Sequence, residues 1–213
     1  MSTRGELART ALIEAAEQLF AERGIESVSL REVAVAAGQR NHSATQYHFG
    51  DRGGLVAAVF EHRMLVVNER RHRQLDELSE RGESTDLERL VGAVVIPLVE
   101  VVDETHGWYA RFLVRTRWDA FAQTVLTDVP ALSSFRRAIE LIAGELPGPA
   151  EHRFHRLDQM NTLFLGTVAG WEWQRHRGAP TATPDELCAD LTATCTAVLT
   201  ARARVLDPTG GVA

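Results

Sequence analysis

Lysine is absent from the 213-residue chain, and all 23 basic side chains are arginine. By itself this reads as genomic composition. It means, however, that any cationic contact rests on guanidinium groups, whose planar fork suits phosphate and guanine. Cysteine is scarce: Cys188 and Cys195 stand seven residues apart, ~10 Å along a helix axis, too far for a disulfide between them. No disulfide framework is therefore expected, and the sequence reads as that of a cytoplasmic protein. No apolar run reaches the length of a membrane span. The first residues carry Arg and Glu instead of a charged start leading into an apolar run, so no signal peptide is expected.

Strand-like alternation and internal repeats are missing. So are a nucleophile motif, a glycine-rich phosphate loop and a carboxylate pair in catalytic context, and neither an enzyme nor a cofactor is expected. His152/His155 and Glu172/His176 have the i,i+3 and i,i+4 spacings of metal ligands. Neither pair has a third clustered ligand, so no metal site is expected. What is present suffices to fold: 45% hydrophobic and 24% charged residues support a sizeable core and exclude a disordered chain. The formal net charge of −6 excludes a uniformly cationic coat but allows a small face for nucleic acid.

Such a face is found near the N-terminus. Leu12, Ile13, Ala16, Leu19 and Phe20 form one apolar stripe at helical period, closed by Gly24. Ser29-Leu30-Arg31-Glu32 is a capping box opening a short helix that stops at Gly38. The turn 39–42 leads to a second short helix over 43–49, ended by Gly50, and a long helix starts near Gly53 or Gly54. A long helix, a short helix, a tight turn and another short helix make the helix-turn-helix pattern. Small residues (Ala34, Ala37, Gly38) stand where the two short helices cross. Arg40, Asn41, His42, Ser43, Thr45, Gln46, Tyr47 and His48 crowd polar groups onto the second.

Residues 6–66 resemble the DNA-binding domain of the TetR family of bacterial transcriptional regulators. The resemblance is carried by Ala15-Ala16 through Leu19-Phe20 and Gly24, by Ser29–Ala34 with Ala37-Gly38, and by Gln46–Leu55. This last run is similar to the family's Tyr-x-His-Phe-x-x-Lys-x-x-Leu signature, with Arg52 in place of the lysine. The turn 39–42 is one residue longer than the usual family spacing, and Gln46 stands where the family often has Tyr. The resemblance implies that Ser29 offers a hydroxyl and nearby amides to a phosphate, that Tyr47 and His48 touch phosphate or sugar, and that Arg52 binds a phosphate. Arg40, Asn41, His42, Thr45 and Gln46 are then the candidate base readers, and Phe49 packs inward. Residues 1–52 hold six arginines and seven acidic residues, and 38–50 hold no carboxylate. Modest non-specific affinity with a salt dependence set by few phosphates is expected.

The expected architecture is all-α, with about nine helices: a helix-turn-helix head over 1–52 and a helical domain for effector binding and dimerisation over 53–213. The long helix from Gly54 to about Arg81 carries Arg70-Arg71-His72-Arg73, which reads as a solvated face. A helix with Pro97 inside it follows, then an aromatic helix 108–121, a helix 130–146, and two final helices over 150–177 and 184–206. Trp108, Phe112, Trp118 and Phe121, with Phe164 and Trp171, are candidates to line a pocket for a small apolar or aromatic effector. Leu163, Gly166 and Gly170 on one final helix, and Leu187, Leu191, Thr194 and Val198 on the other, are candidates for a homodimer interface. TetR relatives typically dimerise through their final two helices. Pairing would place two recognition helices one DNA turn apart on a near-palindromic operator. The expected function is a repressor released by the effector. The alternatives are a regulator that answers a partner protein, and a helical ligand-binding or enzymatic domain with a vestigial head.

Overall fold

Ten α-helices and one 3₁₀ turn account for the regular structure of residues 3–39, 44–127 and 129–201, which are the residues that the computed structural model describes. They are α1 (Thr3–Arg23), α2 (Leu30–Ala36), α3 (Ala44–Phe49), α4 (Arg52–Glu80), α5 (Leu87–Thr105), α6 (Tyr109–Trp118), α7 (Ala120–Leu126), α8 (Ser133–Glu145), α9 (Ala150–His176) and α10 (Pro184–Thr200), with the 3₁₀ turn Pro130–Leu132 before α8. No strand occurs among the described residues, and no helix among them is long and apolar enough to cross a membrane.

Side-chain acceptors set the starts of five of the ten helices. The Ser29/Glu32 and Thr183/Glu186 capping boxes open α2 and α10, while Asp51, Asp86 and Asp119 cap α4, α5 and α7. Asp119 also explains a departure from the expected nine helices. The aromatic helix over 108–121 is two helices, because Asp119 adopts an extended conformation and accepts the Ala122 amide at 2.8 Å. The last helix stops at Thr200, where Ala201 is non-helical (ψ 127°).

Two glycines are required by geometry. Gly38 has φ +65°, which lets the Gln39 amide reach the Ala34 carbonyl at 2.9 Å and close α2. At Gly54 a Cβ would lie 2.0 Å from the Phe49 carbonyl oxygen. The first turn of α4 thus crosses directly over the end of α3.

One buried core runs through the chain, and α5 lies at its centre, contacting α4, α8, α9 and α10. Pro97 interrupts the ladder of α5, since it has no N–H for the Ala93 carbonyl. Arg71 from α4 supplies a donor in its place, its Nε to Ala93 O at 3.2 Å, and its Nη2 donates to the next carbonyl, Val94 O, at 3.0 Å. The residue read as solvated is only 2% exposed. Its neighbour Arg70 is half-buried and paired with Glu100 and Glu104, and Arg73 is the residue of the run that is exposed.

Helix α6 ties the head to the body. Two buried carboxylates hold its first turn: Glu17 of α1 accepts the Trp108 amide at 2.7 Å, and Glu172 of α9 accepts the Ala110 and Arg111 amides at 2.8 and 3.2 Å. Free amides and the positive end of the helix dipole favour carboxylates there. Gly107 leaves room for Glu17, since a Cβ would fall 2.5 Å from its Oε1. Further along α6, Phe112 stacks on Phe20 and Arg115 donates to the Ala21 carbonyl at the end of α1. Burial raises Glu17 above the ordinary carboxylate value in spite of the Trp108 amide and Arg63. It raises Glu172 to about 7 against the Ala110 and Arg111 donors.

Gly54→Ala is expected to destabilise the chain by about 1–3 kcal/mol through overpacking, whereas Gly53→Ala meets its nearest neighbour at 3.2 Å and should be milder; urea unfolding of both variants checks this. Because the folded-state pKa of Glu172 is raised, its stabilising contribution is complete below about 4.5 and is lost as pH rises through about 7. Unfolding midpoints should fall across that window in the wild type and fall less in Glu172→Gln.

Candidate nucleic-acid interface and internal cavity

The helix-turn-helix is built by α2 and α3 on α1. Val33 and Ala34 are fully buried, and Leu30 and Ala37 pack on the same core. The hydroxyl of Thr45 in α3 donates to the Leu30 carbonyl at 3.1 Å, which pins the two short helices together. Thr45 was expected to read bases. It is 0% exposed, so its side chain faces the core and fixes the pose of α3.

The outer face of α3 carries Gln46 and Tyr47. Both are exposed, Tyr47 at 86%, an unusual exposure for so large a ring. His48 is half-buried and packs edge-on to Tyr47 with centroids 5.2 Å apart. Phe49 turns toward the core beneath the Arg9 guanidinium, as the sequence pattern implies. Arg52 is half-buried at the first position of α4. Arg40, Asn41, His42 and Ser43 lie outside the described residues.

At the start of α2 the electrostatics differ from the simple anion site expected at Ser29. The Ser29 amide and hydroxyl both donate to Glu32 Oε2 at 2.8 Å, and Arg23 pairs with the same carboxylate. The Arg23 contact and the Ser29 donors pull Glu32 down to about 2, so it is ionised at neutral pH. The N-terminus of α2 is therefore already supplied with an anion, and a phosphate has to share these donors. Arg31, exposed in the first turn of α2, is a cation on this unit that the sequence reading did not single out.

The six aromatic candidates do not come together. A cavity of about 450 Å³ opens between α4, α5, α6, α7, α8 and α9, and of the six only Phe164 lines it. Phe112 is closed into the core against Phe20 and Tyr109. Trp108 stacks on the His176 ring at 4.4 Å and under Arg111 at 3.9 Å. Trp118 is 71% exposed, and Phe121 is also at the surface, beside Gly53. Trp171 is buried and donates its indole N–H to the Ala182 carbonyl at 2.8 Å. The cavity is walled by Phe60 and Met64 of α4, Leu98 of α5 and Leu113 of α6, with Arg71, Arg117, Arg136, Gln123 and Asn161 as polar lining. Glu172 and His176, spaced for a metal, both engage Arg111.

The seven candidates for a dimer face divide. Leu187 and Leu191 are buried with Cys195 and Leu199 on the side of α10 that packs within the chain, against α5 and α9. Gly166 and Thr194 are exposed, and Leu163, Gly170 and Val198 are half-buried. A Cβ built at Gly166 or Gly170 meets nothing within 4 Å. Ala189, Ala193 and Ala197 extend the open small-residue face along α10.

Residues 12–59 match the family model described as bacterial regulatory proteins, tetR family. Over 62 residues the chain is 42% identical to the HTH-type transcriptional repressor Rv3405c of Mycobacterium tuberculosis, a match that spans 29% of this chain and 32% of that protein. The HTH-type transcriptional regulator Mb3439c of Mycobacterium bovis gives the same 42% over 62 residues. The chain thus covers about a third of the length of the curated relatives it matches (32%). Over nearly its whole length the chain has the fold of NalD of Pseudomonas aeruginosa, the secondary repressor of the MexAB-OprM multidrug efflux pump, with TM-score 0.58 at 20% identity over 92% of this chain and 98% of that one. PfmR, a TetR family transcriptional regulator from Thermus thermophilus, is similar with TM-score 0.56 at 15% identity over 96% of this chain and 100% of that one.

Proposed function

We propose that this chain, a member of the TetR family of bacterial regulatory proteins, is a transcriptional repressor that binds a near-palindromic operator as a homodimer and is released from it by a small molecule. One observation carries the reading: the segment that matches the family, residues 12–59, folds as a helix-turn-helix whose second helix leaves Gln46 and Tyr47 exposed while Thr45 and Phe49 hold it to the core. Gln46 has the chemistry to read an adenine edge in the major groove. Tyr47, His48 and Arg52 are placed to hold the backbone, with Arg31 beside Ser29 as a further phosphate contact. Residues 40–43, one of them an arginine, complete the base-reading set in this proposal.

The head is the DNA-binding unit over 1–52, and residues 53–213 bind the effector and the partner copy. The open strip of Leu163, Gly166 and Gly170 on α9, with Thr194 and Val198 on α10, supports pairing with the same helices of a second copy, where small residues let backbones approach. An occupant of the cavity would bear on Phe60 and Met64 of α4, the helix that carries the head at its first turn, and on Leu113 of α6, which Glu17 fastens to α1. Two arrangements of head against body, one favoured by ligand and one by operator, are then in linked equilibrium. Regulation and not catalysis is the activity proposed.

The test is fluorescence anisotropy with the DNA upstream of the protein's own gene. Gln46→Ala combined with Tyr47→Ala should weaken specific binding by a factor of ten or more, since a base contact contributes about 1–3 kcal/mol, and should leave the unfolding midpoint in place. Unchanged affinity in this variant would remove α3 from the reading.

A further inference from the structure

The cavity holds an imbalance of charge that its fold does not use. Arg71, at 2% exposure, has no carboxylate within ion-pair distance among the described residues. Its hydrogen-bond partners are two carbonyls and the Ser134 hydroxyl at 3.5 Å, the last at the limit of a hydrogen bond, and its guanidinium lies over the Phe135 ring at 5.6 Å. The Ala93 carbonyl freed by Pro97 explains why a donor is needed there, but not why a full positive charge is buried to provide it. A buried cation without a counter-ion is costly, and burial pulls Arg71 only to about 10, so it stays charged at neutral pH. Two more guanidinium groups line the same cavity. Arg117 pairs through Nη2 with Asp158 while its Nε is buried with no acceptor among the described residues, and Arg136 is exposed at the rim. Among the described residues, no Asp or Glu lines the cavity.

We propose that this cavity takes an amphipathic organic anion, with its acid group against Arg71 and its apolar body against Phe60, Met64, Leu98, Leu113 and Phe164. The inference rests on the reading of this cavity as the effector site. An anion restores the charge balance that the lining lacks, and it meets its donors in a site shielded from water, where charge-assisted hydrogen bonds are strong. A volume of about 450 Å³ lies within the range of pockets for small organic molecules. The specificity is chemical: a neutral molecule of the same shape leaves Arg71 uncompensated.

Isothermal titration calorimetry on the full chain tests this with three matched pairs: decanoate and decan-1-ol, 4-butylbenzoate and 4-butylbenzyl alcohol, and naphthalene-2-carboxylate and naphthalene-2-methanol. At least one carboxylate should bind at one site per chain and at least about tenfold more tightly than its alcohol, the least that a charge-assisted hydrogen bond provides. Arg71→Met should erase the preference. Because that variant also strips the Ala93 and Val94 carbonyls of their donors, Asn161→Asp is the second variant. It is isosteric, places a carboxylate in the lining and should reduce the preference by a similar factor in a chain with wild-type circular dichroism. Equal binding within all three pairs, no binding of any carboxylate, or a preference that survives Asn161→Asp overturns the proposal. The calorimetry uses no DNA, so its outcome is separate from that of the operator test. A carboxylate that binds with this preference yet leaves operator affinity unchanged supports the anion site and overturns its reading as the effector site.

Discussion

Two buried carboxylates facing one helix start are the constraint on which the relation of head to body depends. The first turn of α6 presents free amides, and it receives Glu17 from α1 on one side and Glu172 from α9 on the other. Each carboxylate accepts N–H groups that no water can reach easily, and each is raised by its burial. Arg63 of α4 closes on Glu17 and Arg111 on Glu172. Head, connecting helix and body therefore meet at one short segment, residues 107–111, where a Cβ at Gly107 would fall 2.5 Å from the Glu17 Oε1.

The cavity sits behind this segment. Its walls include α4, whose first turn passes over α3 at Gly54, and α6, which Phe112 and Arg115 fasten along α1. A molecule entering between them meets both of the elements that set the orientation of the head. In the anion-site proposal the charge pattern adds selectivity to this geometry. Arg71 mends the break that Pro97 makes in α5 and, in doing so, leaves a positive charge in the wall.

Much of the head was legible in the sequence because its signals are local. Ser29 and Glu32 are three residues apart, Gly24, Gly38 and Gly50 end their helices at positive φ, and the stripe from Leu12 to Phe20 is buried at Leu12, Ile13, Ala16 and Phe20. What failed depended on partners distant in sequence. Thr45 is a polar residue among polar residues, and its inward orientation is set by a carbonyl fifteen positions away. Arg71 lies in a run of charges, and nothing local marks it as the one that meets Pro97. Glu17 belongs to an acidic helix and is buried only because α6 arrives at it. Helical spacing showed that Trp118 and Phe121 share a helix with other aromatics, but not that Asp119 breaks that helix and leaves both at the surface. The same spacing showed the apolar side of α10, and not that α5 of the same chain covers Leu187 and Leu191.

We propose that two copies of this chain read a two-fold symmetric DNA site through α3. In vitro selection from a random-sequence duplex library with the purified full chain tests it most directly. The expected result is enrichment of an inverted repeat whose half-site centres lie about one helical turn, roughly 10 base pairs, or a multiple of it apart, bound by protein in even stoichiometry. Enrichment of a single unsymmetrical site bound by one copy, or no enrichment over the starting library, would contradict it.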